Sequence, residues 1–378
     1  MSQPLQDLLA ASPPDMTKID AFLDGQAIPL VEGNSVTFVY RGAADAINLR
    51  HWIFGLPSSQ AFARVEGTEL WHLTIDLPER SRVEYKIERV RGEDREWLMD
   101  PLNPRVAQDP YGANSVCYGR GYVTPTWVLP DEEARSGKLE TLAVPSNVFG
   151  ERRAVQVYLP ARFRPRRRYP LLIVHDGHDY LRFAGLETVL DNLIHRLEIA
   201  PMIVALTNSP DRLREYAADP RQADFLADEL VPALSERYPL IDRPDARVVM
   251  GASFGGVAAL SAAWRRPGFY GGMLLQSGSF AFSDIGKHGR GPAFDPVARF
   301  VNAFRETPGH PCDKIFVSCG IYESLIYENR SLVPVLQNAQ MDLRYVEARD
   351  GHNWDNWRDR LREGLSWLFP GPLWMVYE

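Results

Sequence analysis

Residues 246–264 read Ala-Arg-Val-Val-Met-Gly-Ala-Ser-Phe-Gly-Gly-Val-Ala-Ala-Leu-Ser-Ala-Ala-Trp, and the order of residue types in this stretch decides the fold. A short apolar run with strand character comes first, then five small or flanking residues, Gly251-Ala252-Ser253-Phe254-Gly255, then a helical stretch from 255 to 265. A serine on a tight strand-to-helix turn sits on strained, crowded backbone, which is why glycine and alanine surround it, and the turn lifts its hydroxyl to the carboxyl edge of a sheet. At this chain's glycine and serine frequencies about 0.1 matches to Gly-x-Ser-x-Gly arise by chance, fewer still with a strand before and a helix after. An ordinary serine in a glycine-rich turn is the competing reading. Ser253 is the expected nucleophile.

Outward from this elbow, apolar strands and helices take turns. TLAVPS (141–146) and AVQVYLP (154–160) read as strands, followed by YPLLIVHDG (169–177) and the helical FAGLETVLDNLIHRLEI (183–199). PMIVALTNS, a helix around DFLADELVPALSERY, then after the elbow YGGMLLQSGS, KIFVSCGIYE and MDLRYVEARDG continue the pattern. Continuous apolar strands alternating with helices predict an α/β fold, a mostly parallel sheet covered on both faces. Residues 35–118 differ. SVTFVYRG, INLRHWIF, ELWHLTIDL and RVEYKIERV alternate with period two between Gly, Pro and Asp turns, which predicts a small β-sandwich with Trp52, Trp71 and Tyr85 packed between its sheets. TKIDAFLDG (17–25) suggests one short helix ahead of it, and DPLNP (100–104) a loop leaving it. The stretch 119–138, rich in Gly, Pro and charge, reads as a linker. The expected organisation is 1–120 sandwich, 121–138 linker and 139–378 catalytic domain.

Composition narrows the function. The 378 residues are 45% hydrophobic and carry 42 Lys+Arg against 49 Asp+Glu, a net charge of −7, so no overall basic field attracts nucleic acid or an anionic membrane. Cys117, Cys312 and Cys319 are an odd number without CxxC spacing, which argues against a disulfide framework and for a reducing compartment. The opening MSQPLQDLLAASPPDM has no basic and apolar export pattern, and no apolar run approaches the ~18 residues of a membrane span, so a cytoplasmic location is expected.

A neutral serine needs a base, and only His288, His310 and His352 follow Ser253. The first two lie in polar or proline-flanked segments, whereas His352 follows the strand-like LRYVE, so His352 is the expected base. The acid belongs at the end of the preceding strand, where Glu323 comes first; Glu328, Asp350 and Asp355 are alternatives. An oxyanion in acyl transfer needs two preorganised N–H groups. Phe254, directly after the nucleophile, is one candidate and His178, beyond the turn at Gly177, the other. His175 and His178 in HDGHD invite a metal, but no third cluster of suitable spacing joins them, and neither metal nor cofactor is expected.

With these residues in place the chain resembles the esterase D branch of the α/β-hydrolases, in particular the enterochelin (ferric enterobactin) esterases, which also carry an N-terminal sandwich. The matching stretches are HDGHDY, ASFGG, LQSGSF, CGIYESLIYENRSL and DGHNWDNWRDRL. The resemblance implies that Ser253, His352 and Glu323 take the nucleophile, base and acid positions. It also implies a small-molecule ester substrate, a triester of 2,3-dihydroxybenzoyl-serine whose iron complex is trianionic. Arg212 and Arg214 of DRLREY are the expected cationic contacts, with Asp176 and Trp354 as further substrate-binding candidates. The same elbow, sandwich and RxxEY segment resemble two-domain feruloyl and acetylxylan esterases, whose leading module is similar to a glycogen-binding one. A non-catalytic binding protein on the same scaffold is the third possibility; it would need a broken triad.

Overall fold

The run of alternating strands and helices closes into one eight-stranded sheet. In chain order its strands are β1 (Lys138–Ser146), β2 (Glu151–Leu159), β3 (Leu171–Val174), β4 (Ile203–Leu206), β5 (Arg247–Ala252), β6 (Gly272–Gln276), β7 (Lys314–Gly320) and β8 (Asp342–Ala348). They lie side by side as β1-β2-β4-β3-β5-β6-β7-β8. The hairpin β1–β2 and the pair β2–β4 are antiparallel, while β4, β3, β5, β6 and β7 run parallel. Every residue of β3, β4, β5 and β6 is buried, as two covered faces require. One apolar layer gathers Tyr216, Phe225, Leu230, Val257, Leu260 and Phe304; the other gathers Tyr180, Leu190, Trp357, Leu361 and Leu365. The structure is a computed structural model that describes residues 2–10, 16–283 and 288–372; parts of the polar opening (1 and 11–15) and the end of the expected catalytic domain (373–378) lie outside the described residues.

The N-terminal strands form two antiparallel sheets. Leu30–Glu32, Ser35–Arg41, Leu70–Asp76 and Ala63–Arg64 make one. Ser59–Ala61, Ala46–His51, Arg82–Arg91, Gly112–Tyr118 and Val106–Asp109 make the other, with Asp94–Leu98 also paired to Arg82–Arg91. Val36, Phe38 and Tyr40 from the first sheet meet Leu49, Tyr85 and Ile87 from the second, with Phe38 edge-on to Tyr85 at 4.8 Å. Trp71 and Tyr85 are core residues, as expected, but Trp52 is 53% exposed. The alternation that buries Ile47, Leu49, His51 and Ile53 turns the residues between them outward, and Trp52 is one of these. The loop at 100–104 does not leave the sandwich: it returns the chain to Gly112–Tyr118, which pairs with Arg82–Arg91. A helix at Gln3–Ala10 precedes the expected one at Met16–Asp24.

Contacts divide the chain into two units. The first holds Met1–Thr124 with two later segments, Gly320–Glu323 and Ala348–Asn353; the second holds Pro125–Cys319, Ser324–Glu347 and the chain from Trp354 onward. Composition had marked 121–138 as a linker, yet from Pro125 it is bound to the second unit. Asn192 Nδ2 donates to the carbonyls of Trp127 and Leu129 at 2.9 and 2.8 Å, and Trp127 packs on the helices of one face. Trp127 is therefore a packing residue of the second unit. No helix among the described residues is long and apolar enough to cross a membrane.

Candidate active site

Strand β5 ends at Ala252 and the helix Phe254–Arg265 begins one residue later, leaving Ser253 alone at the corner with φ 57° and ψ −122°. That backbone is unfavourable for a residue with a Cβ and persists only where neighbours over-determine it. Here the glycines do so. A Cβ on Gly251 would stand 2.3 Å from the carbonyl carbon and oxygen of Gly255. One on Gly255 would press on Asp176 Oδ2 at 3.1 Å and on His175 Cβ at 3.3 Å. The serine N–H donates to Gln276 O at 2.9 Å, and its carbonyl accepts from Gly256, Val257 and Ser279. Its hydroxyl is 3.1 Å from that of buried Ser279. Ser279 lies inside LQSGSF, and nothing in that stretch of sequence by itself marks it as a partner of Ser253.

Of the three histidines after Ser253, His352 has a buried carboxylate partner. Its Nδ1 is 2.5 Å from Glu323 Oε2, while Glu323 Oε1 accepts the Gly320 N–H at 2.7 Å. Glu323 follows the end of β7 by three residues and His352 the end of β8 by four, the strand-end positions expected for acid and base. His288 is engaged with Asp295 and His310 with Asp313. The alternative acids have other partners: Glu328 binds Arg290, Asp355 binds Arg358, and Asp350 faces Arg82 and Asn353. Burial pushes the Asp350 carboxyl up to about 7 against the pull of Arg82. Ser253 belongs to the second unit, His352 and Glu323 to the first.

The remaining candidates need correction. Phe254 opens the helix, where an N–H has no carbonyl of its own helix to bond, in keeping with the expected oxyanion role. The His178 N–H, by contrast, already donates to Asn208 Oδ1 at 3.0 Å, so Asn208 must release it before an oxyanion can use it. Asp176 is buried and grips Arg212 in a two-pronged pair, Nε to Oδ1 at 2.8 Å and Nη2 to Oδ2 at 2.7 Å. These two expected substrate contacts thus neutralise each other and brace the loop beneath Gly255. Arg214 is exposed. Trp354 is 8% exposed and edge-on to both Tyr180 and Trp357, at 5.2 and 4.7 Å, so it is a core aromatic and not a ligand surface. His175 is wholly buried, and burial, helped by Arg212, lowers its pKa to about 3. Among the described residues no three His, Cys, Asp or Glu side chains are grouped to hold a metal.

The strand order, the buried parallel centre and a serine at positive φ between β5 and a helix define an α/β-hydrolase. A family model described as putative esterase matches residues 146–368. The chain belongs to that esterase family. It is 27% identical over 331 residues to an iron(III) enterobactin esterase of Escherichia coli (strain K12), covering 81% of each chain. It is 25% identical over 364 residues to the iron(III) enterobactin esterase of Dickeya dadantii (strain 3937), covering 82% of this chain and 80% of that one. These relatives bear out the resemblance drawn from the motifs. Among solved structures, the ferric enterobactin esterase of Salmonella typhimurium shares the fold with a TM-score of 0.74, at 22% identity over 91% of this chain and 95% of that one. A ferulic acid esterase of Anaeromyces mucronatus shares it with a TM-score of 0.52, at 15% identity over 64% and 94%.

Proposed function

We propose that this protein is a serine esterase that hydrolyses the ester bonds of an enterobactin-type siderophore. The observation that carries the chemistry is the contact between His352 and buried Glu323, two residues that sequence order alone had singled out as base and acid. Iron(III) enterobactin esterases that match over 81% of their own length support the substrate class.

Glu323 accepts the Nδ1 proton of His352, which leaves Nε2 as the lone-pair nitrogen. The Ser253 hydroxyl attacks the ester carbonyl as Nε2 takes its proton, and Glu323 stabilises the imidazolium without itself being protonated. The oxyanion rests on the N–H of Phe254 and, once Asn208 has moved, on that of His178. Nε2 then protonates the departing alcohol oxygen, and the C–O bond breaks to leave an acyl-serine. Water repeats the sequence: Nε2 takes its proton, the hydroxyl adds to the acyl carbon, and the serine oxygen leaves with that proton. Exposed Arg214 is the other expected cationic contact for a trianionic ligand.

The test is turnover of ferric enterobactin by the purified protein. Release of dihydroxybenzoyl-serine is expected, and loss of that release in Ser253→Ala. Hydrolysis of methyl ferulate or acetylated xylan alone would replace this reading with the carbohydrate-esterase one, and a folded protein that forms no fluorophosphonate adduct on Ser253 with the binding-protein one.

A further inference from the structure

We propose that the N-terminal sandwich is the positioning element of the acid–base pair, acting through Arg82. The inference rests on the assignment of His352 and Glu323 above. Arg82 opens the strand Arg82–Arg91 and its side chain is 1% exposed. Its Nη1 donates to Asn353 Oδ1 at 3.0 Å and faces Asp350 Oδ1 at 3.4 Å, and its Nη2 donates to Glu84 at 3.0 Å. Asp350 and Asn353 bracket His352. Asp350 Oδ1 also accepts from the Gly351 N–H and from Asn353 Nδ2, both at 2.7 Å, so one guanidinium braces a closed ring of bonds around the turn that carries the imidazole.

The backbone is tied at the same place: the Arg82 N–H donates to Arg349 O at 2.9 Å, and Arg349 Nη1 donates to Glu79 O at 2.7 Å. The acid is held by the neighbouring residue of the sandwich. Ser81 Oγ and Tyr322 OH are 2.6 Å apart, and the Phe54 N–H donates to Tyr322 O at 2.7 Å, one residue before Glu323. Tyr322 N donates to Asp350 O at 3.1 Å, which joins the two segments. Adjacent residues 81 and 82 thus fix the loops of acid and base together. A buried arginine with carboxylate partners is a poor source of net stability, so its use here is geometric. Catalytic groups must be held to roughly 0.5 Å, and a loop beyond a strand end does not hold itself that well.

The experiment uses full-length variants and p-nitrophenyl butyrate, a small ester that needs no siderophore site. Arg82→Met and Arg82→Lys are expected to lower kcat roughly 30- to 100-fold with KM within about threefold, and to move the acid limb of the kcat/KM pH profile. The lysine variant keeps the charge but, with one ammonium in place of a fork, does not restore the rate. In the double variant Arg82→Met/Asp350→Asn one of the two carboxylates that faced the arginine is gone and Glu84 keeps its bond from Asn114, so Tm recovers in part while kcat stays low. That variant decides the matter if Arg82→Met alone does not fold. Turnover within twofold of the parent in folded Arg82→Met, or kcat returning with Tm in the double variant, overturns the positioning role. Ser253→Ala and His352→Ala separate the two failures: if they retain turnover the underlying assignment falls, and if they lose it while the Arg82 variants do not, this inference alone falls.

Discussion

The bonds that hold the Ser253 backbone and hydroxyl come from residues no more than 26 positions away, whereas the loop of His352 is braced by Arg82, which is 271 positions from Asn353. At the elbow the constraint is steric and local: Gly251 has no room for a Cβ, Gly255 four residues on has little, and a strand and a helix meet at one strained residue. At the loops of His352 and Glu323 it is polar and distant: buried Arg82 reaches the turn at 349–353, and its neighbour Ser81 reaches Tyr322. The difference teaches that the corner at Ser253, the proposed nucleophile, can be built from a short motif, while the turn that carries His352, the proposed base, draws on residues far away in the chain.

The strongest way to test the elbow is Ser253→Ala, expected to lower turnover by on the order of 10⁴-fold or more with Tm little changed, since the change removes one hydroxyl and its contact with Ser279. A fall in Tm by several degrees would contradict a site built by its neighbours. Glu323→Gln sharpens the other half: with size preserved and the hydrogen bond to Nδ1 reversed, kcat should fall roughly 10³-fold, and activity near that of the parent would show that the carboxylate does not set the tautomer. Gly251→Ala places a methyl on the Gly255 carbonyl and should cost about 2 kcal/mol of stability, read by urea unfolding; an unchanged midpoint would mean that the turn yields more easily than its packing implies. Ser279→Ala removes one hydrogen bond to the nucleophile and should change kcat by about fivefold, in line with ~1 kcal/mol for such a bond.

A further effect, on the pH dependence of stability, concerns Asp350. Its pKa is raised from 3.8 to about 7 by burial, so the native chain keeps a proton that the unfolded chain releases. The group's contribution to stability is complete below the unfolded value and is lost as pH rises through about 7. Tm measured across this window should fall less steeply with pH in Asp350→Asn than in the parent, and parallel curves would assign the slope to other groups.

Much of the site was legible in advance because it follows strand ends. Ser253, Glu323 and His352 each stand just beyond an apolar run, and a run of apolar residues shows in a sequence wherever its neighbours are. Side-chain partners do not show in this way. Trp354 is an expected substrate contact, yet it begins the helix Trp354–Leu368 and turns into the core. Asp176 and Arg212 read as separate substrate contacts until the fold closes them on each other. The N–H of His178 reads as available until Asn208, thirty positions on, is placed against it.

By itself the sequence determined the two kinds of architecture, the corner at Ser253 and the places of Glu323 and His352 beyond strand ends, because each depends on periodicity, on glycine and on chain direction, all properties of neighbouring residues. The tertiary structure alone decided which charges are already paired, which aromatics are core, and that Arg82 meets the turn that carries His352. Those outcomes depend on contacts between residues tens to hundreds of positions apart, and the free energy of such a contact leaves no mark on the local pattern of either partner.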